Sequence, residues 1–71
     1  MSIKVITIRV NGEIREVTPG STILALLQDL GLRPDRVAIE MNRSIIKQPL
    51  WAETEVPPGA EIEIVQFVGG G

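Results

Sequence analysis

Residues 3–10, IKVITIRV, form a run of β-branched side chains whose period of two puts Ile6, Ile8 and Val10 on one face. Such a run predicts a strand. Asn11-Gly12 follows, the pair best suited to the two positive φ angles of a type I′ hairpin turn. Residues 13–17, EIREV, then alternate polar and apolar and read as a half-buried second strand. Thr18-Pro19-Gly20 breaks the pattern, and Ser21 or Thr22 offers a helix N-cap. Beyond it Ile23, Leu26, Leu27 and Leu30 recur at i, i+3, i+4 and i+7, which lines them along one face of a helix near residues 22–31. Gly31 suits the left-handed position that ends a helix, and Pro34 forbids its continuation.

The second half reads as strands again. Residues 36–41 predict a third strand, Asn42-Arg43-Ser44 a turn, and Ile45-Ile46 a short edge strand. Residues 47–60 are irregular and punctuated by Pro49, Pro57, Pro58 and Gly59, with Trp51 as a satellite core plug. Residues 61–67 close the series: Ile62, Ile64 and Gln66 share one face, and Glu63, Val65 and Phe67 share the other. The order is β-β-α-β-β-β in an α+β domain. The first and last strands are the most apolar, which favours neighbouring, parallel places at the centre of a mixed sheet with the helix across one face. That describes a β-grasp roll, one of several small α+β folds the pattern admits. Val65 and Phe67 would then point away from the helix, with Val5 and Thr7 beside them.

Composition narrows the chemistry. A chain of 71 residues makes one domain, and its 44% hydrophobic content must hold the fold alone, since it has no cysteine and no histidine. Thiol–histidine and serine–histidine nucleophiles are thereby excluded, and no metal cluster is expected. The carboxylates fall in no acid–base motif and read as solvated surface. Seven basic and nine acidic residues in mixed order leave no basic stripe for nucleic acid, and no apolar run reaches membrane-span length. A cytoplasmic location is the expectation. What remains is the ending, FVGGG: residues 68–71 read as a flexible glycine tail on a single domain spanning 1–71, with a carboxyl on Gly71 as the one remaining candidate for chemistry.

With Asn-Gly at the first turn, IEMNRSII in the middle and IEIVQFVGGG at the end, the whole chain resembles the ThiS family, the sulfur carrier proteins of thiamin (thiazole) biosynthesis. The molybdopterin carriers of the MoaD type share the fold and a Gly-Gly end; the FVGGG ending, the Met-Asn turn and the length fit ThiS better. The resemblance implies a carrier that is a substrate and not an enzyme. A ThiF-like enzyme would use Mg-ATP to adenylate Gly71, a persulfide donor would convert it to a thiocarboxylate, and a ThiG-like thiazole synthase would take the sulfur. No cofactor would be bound by the carrier itself. Gly69, Gly70 and Gly71 would be recognised as a slender tail, which together with Val68 can extend about 13–14 Å, while Val65, Phe67 and Val68 would contact the partner. A ubiquitin-like modifier of lysines and a passive interaction module are the other readings.

Overall fold

The computed structural model describes residues 4–68. The Ile3 end of the predicted first strand and the tail residues Gly69, Gly70 and Gly71 lie outside the described residues. The elements are β1 (Ile6–Val10), β2 (Glu13–Val17), α1 (Ile23–Leu30), a 3₁₀ turn (Pro34–Arg36), β3 (Val37–Met41), β4 (Ser44–Ile46), a second 3₁₀ turn (Gln48–Leu50) and β5 (Glu61–Gln66). The sheet order is β2-β1-β5-β3-β4. β1 and β5 run parallel, and β1–β2, β3–β4 and β3–β5 run antiparallel. This is the mixed β-grasp sheet, with the first and last strands side by side and β5 in the middle.

Helix α1 forms where its ends are satisfied as well as its face. Thr22 is the N-cap, its hydroxyl accepting from the Ala25 amide at 3.1 Å. The other early amides find carbonyls: Ile23 N donates to Thr54 O, Leu24 N to Trp51 O and Leu26 N to Thr22 O. The irregular segment 47–60 is therefore the cap of the helix, a role that its prolines did not disclose. At the far end Gly31 takes φ 72°, and Gly31 N and Leu32 N donate to Gln28 O and Leu27 O in a Schellman motif. Ile23, Leu26 and Leu27 pack with Ile8, Ile39, Ile62 and Ile64 of the sheet in one core. Trp51 belongs to that same core, not to a satellite; its indole N–H donates to Ile46 O at 2.8 Å.

Three further expectations need correction. β2 is not half-buried: only Val17 is buried, and Ile14 lies on the outer face with 69% exposure. Pairing with β1 puts Glu13, Arg15 and Val17 on the helix side, so the alternation of EIREV carries no apolar stripe. Arg36 belongs to the 3₁₀ turn that starts at Pro34, which forbids the helix but not a tighter turn. Ser44 begins β4, so the β3–β4 hairpin turns on Asn42 and Arg43 alone, at φ 51° and 71°. Arginine at the second of those angles costs about 1–2 kcal/mol.

The two asparagines that open the hairpin turns also hold β5. Asn11 has φ 51°, its amide N–H donates to Ile62 O, and its side chain takes both polar groups of the Ile64 backbone: Ile64 N donates to Oδ1 at 2.7 Å, and Nδ2 donates to Ile64 O at 3.2 Å. The carboxamide thus continues the parallel ladder past the end of β1 at Val10. On the opposite side Asn42 Oδ1 accepts from Glu61 N at 2.9 Å while Asn42 N donates to Glu61 O.

Asn11→Gly keeps the positive φ of the turn but removes the carboxamide, leaving the polar backbone of buried Ile64 without its partner. The expected loss is about 1–3 kcal/mol, read from urea unfolding. A loss under about 0.5 kcal/mol would show that the Asn11 side chain does not hold β5.

Candidate functional site

The chain leaves the sheet through Phe67 and Val68. Phe67 lies one residue past β5, and its amide still donates to Arg36 O at 2.8 Å, so antiparallel pairing with the β3 side extends to this position. That bond fixes the direction of the last described residues. Odd-numbered residues of β5 turn their backbone groups toward β3 and their side chains to the outer face; even-numbered residues turn their backbone toward β1 and their side chains to the core.

The outer face presents Val65 and Phe67, each 57% exposed, and Val68 is 92% exposed. Val65 and Phe67 are thus brought together on the side away from the helix, and Val68, of the opposite parity, follows them at the root of the tail. Ala38 stands opposite Val65 on β3. Val5 and Thr7 do not join them. The parallel register sets Arg9 beside Glu61, and Thr7 O accepts from Gly59 N. Val65 is six positions beyond Gly59, roughly 20 Å along the sheet at about 3.3 Å per residue. Strand adjacency was legible in the sequence; the stagger between the strands was not.

Charge fills the rest of that face. Glu40 pairs directly with Glu63, and Glu61 lies one step further along beside Arg9. Like charges opposite one another are unfavourable in a sheet, so this acidic band is held by the fold rather than contributing to it. The apolar rim and the acidic band together form a surface whose complement is apolar at one end and basic at the other. Ile14 and Ile45, at 69% and 75% exposure, share this face but stand on strands β2 and β4, apart from the rim.

Among the described residues no charged side chain is buried and no group of acidic residues could hold a metal ion. No helix of the described residues is long and apolar enough to cross a membrane. The carboxylates are partly or fully in solvent, and the one ion pair among the described residues, Arg33–Asp35 at 2.9 Å, is exposed at both ends. What the described residues present is a strand, β5, that leaves the sheet beside a patterned surface.

A five-stranded mixed sheet with β1 and β5 as parallel neighbours and helix α1 packed across one face is the ubiquitin-like β-grasp fold. The chain belongs to the ThiS family, whose sequence model matches residues 8–71. It is 40% identical over 62 residues to a thiazole synthase of Paramagnetospirillum magneticum, covering 87% of this chain. The chain spans only 19% of that relative's length. It is 30% identical over 61 residues to the sulfur carrier protein ThiS of Escherichia coli, covering 86% of this chain and 92% of that one. The crystal structure of the thiamine biosynthesis protein ThiS from Geobacter metallireducens superposes with a TM-score of 0.80 at 26% identity, over 93% of this chain and all of that one.

Because Phe67 packs along the surface instead of into the core, Phe67→Asp is expected to change stability by no more than about 1 kcal/mol. A loss above about 2 kcal/mol in thermal or urea unfolding would show that the ring is a core residue.

Proposed function

We propose that this chain carries sulfur on the carboxyl of Gly71, taken as the last residue of the mature chain, and donates it for thiazole formation in thiamin biosynthesis. Family membership is the observation that carries this reading, and the likeness to a thiazole synthase supports thiazole as the destination. The chemistry follows from the poor reactivity of a carboxylate, whose charge repels nucleophiles and whose leaving group would be an oxide. A ThiF-like enzyme joins the Gly71 carboxylate to the α-phosphorus of Mg-ATP and releases pyrophosphate. The outer sulfur of a persulfide donor attacks the acyl carbon and AMP departs. A thiol then cleaves the sulfur–sulfur bond, leaving the thiocarboxylate and a disulfide. The thiocarboxylate is ionised at neutral pH and nucleophilic, for the reason that thiolates are, and a ThiG-like synthase receives the sulfur. The carrier is a substrate throughout, and Mg-ATP belongs to its partner.

Each part of the site has a task in this scheme. Gly69, Gly70 and Gly71 carry no Cβ to obstruct a narrow channel to the partner's active site. Val65, Phe67 and Val68 supply the apolar contact beside the channel mouth, and Glu40, Glu61 and Glu63 meet basic groups of the partner. Phe67→Asp therefore weakens capture by the adenylating enzyme without unfolding the carrier.

Removing Gly71, or adding one residue after it, should abolish pyrophosphate exchange with the ThiF-like enzyme from the same organism. One extended residue moves the carboxyl by about 3.3–3.6 Å, and misplacement of about 1 Å can cost on the order of a hundredfold in rate. Exchange that survives both changes would remove Gly71 from the mechanism.

A further inference from the structure

β5 has an edge that no strand of the described residues covers. Its even-numbered residues direct their backbone groups toward β1, but β1 ends at Val10, level with Ile62. Ile62 O is taken by the Asn11 amide, and both polar groups of Ile64 by the Asn11 carboxamide. The next residue of the same parity is Gln66. Its N–H and C=O point into the gap left where β1 stops, whereas Phe67 N–H on the other side is already engaged by Arg36 O. Unpaired strand edges are templates for a further strand.

The gap is a shaped cleft of about 290 Å³. Val10, Leu30, Leu32 and Ile64 make an apolar floor, and Glu13 and Arg15 of β2 stand at its rim. Arg15 is exposed and makes no ion pair among the described residues. The cleft lies in line with β1, one step before the chain leaves the sheet.

We infer that this cleft receives an extended segment of the adenylating partner, which pairs its backbone with Gln66 and so completes the sheet at the root of the tail. The segment takes the place that β1 vacates. It turns one branched apolar side chain onto Leu30, Leu32 and Ile64 and sets a carboxylate against Arg15. Backbone pairing supplies affinity and the pocket supplies selectivity, as in other cases where a peptide is added to a sheet edge. Docking and threading of the tail are then one event, because pairing at Gln66 holds Phe67 and Val68 extended. This inference rests on the carrier reading and specifies how the partner grips the carrier.

Amide hydrogen exchange of the full chain, alone and saturated with the ThiF-like enzyme from the same organism, tests it. In the complex the Gln66 amide should exchange at least about tenfold more slowly, the scale of one net hydrogen bond, while the Phe67 amide, bonded in both states, changes less. Gln66→Pro removes a donor that the β3 ladder does not use, and should weaken the complex while the domain still folds; Arg15→Glu should weaken it too. Unchanged Gln66 exchange in a complex that still supports pyrophosphate exchange would overturn this inference and leave the carrier reading standing. Protection that rises with carrier concentration alone would overturn it in favour of self-pairing. If neither a complex nor pyrophosphate exchange is found, both readings fall.

Discussion

The parallel pairing of β1 with β5, prolonged by the Asn11 carboxamide, is the constraint on which the rest depends. Parallel neighbours cannot be joined by a tight turn, so the helix, β3, β4 and the capping loop must all fit between two strands that end side by side. Their overlap is short, with only Arg9–Glu61 and Val10–Ile62 in register. A side chain therefore does what further strand residues would otherwise do. Asn11 reaches across 53 positions of sequence to Ile64, and Asn42 makes the corresponding bond to Glu61 from the other hairpin. β5 is thus held at two points from opposite sides, and the direction in which the chain leaves the sheet follows from them.

That fixed exit divides labour between the two faces of one strand. Ile62 and Ile64 spend their side chains on the core, while Val65 and Phe67, one pleat away, leave theirs in solvent. The core is small and has no cysteine or histidine to support it through a disulfide or a metal, so apolar side chains left in solvent at Val65 and Phe67 contribute little to the fold. The directly opposed Glu40 and Glu63 beside them work against the sheet's own stability.

How much of this the amino-acid sequence discloses depends on the range of the interaction. Local signals were legible: the Asn-Gly turn, a cap at Ser21 or Thr22 (the structure uses Thr22), the Ile23-Leu26-Leu27 stripe and the Gly31 stop all appear where short-range geometry demands them. So was the alternation along 61–67, which separates Val65 and Phe67 from Ile62 and Ile64. Long-range register was not. Nothing local to Val5 or Thr7 tells that β5 is shifted along β1, and so they were expected beside Val65. The helix caps supplied by Thr54 O and Trp51 O, and the bidentate use of Asn11, are equally invisible, because each joins residues that meet only in the folded chain. At β2 the polar–apolar alternation was real but misleading, since the register with β1 turns Ile14 outward.

The proposal stands or falls on the carboxyl of Gly71 as the group that is modified. Intact mass measurement of the protein isolated from its own cells, with the C-terminal peptide sequenced, tests it most directly. The account predicts a population in which one oxygen at Gly71 is replaced by sulfur, increasing when thiazole is scarce and absent when the adenylating enzyme is deleted. A chain that continues past Gly71 in the mature protein, or a carboxylate that stays unmodified under thiazole scarcity, would contradict it.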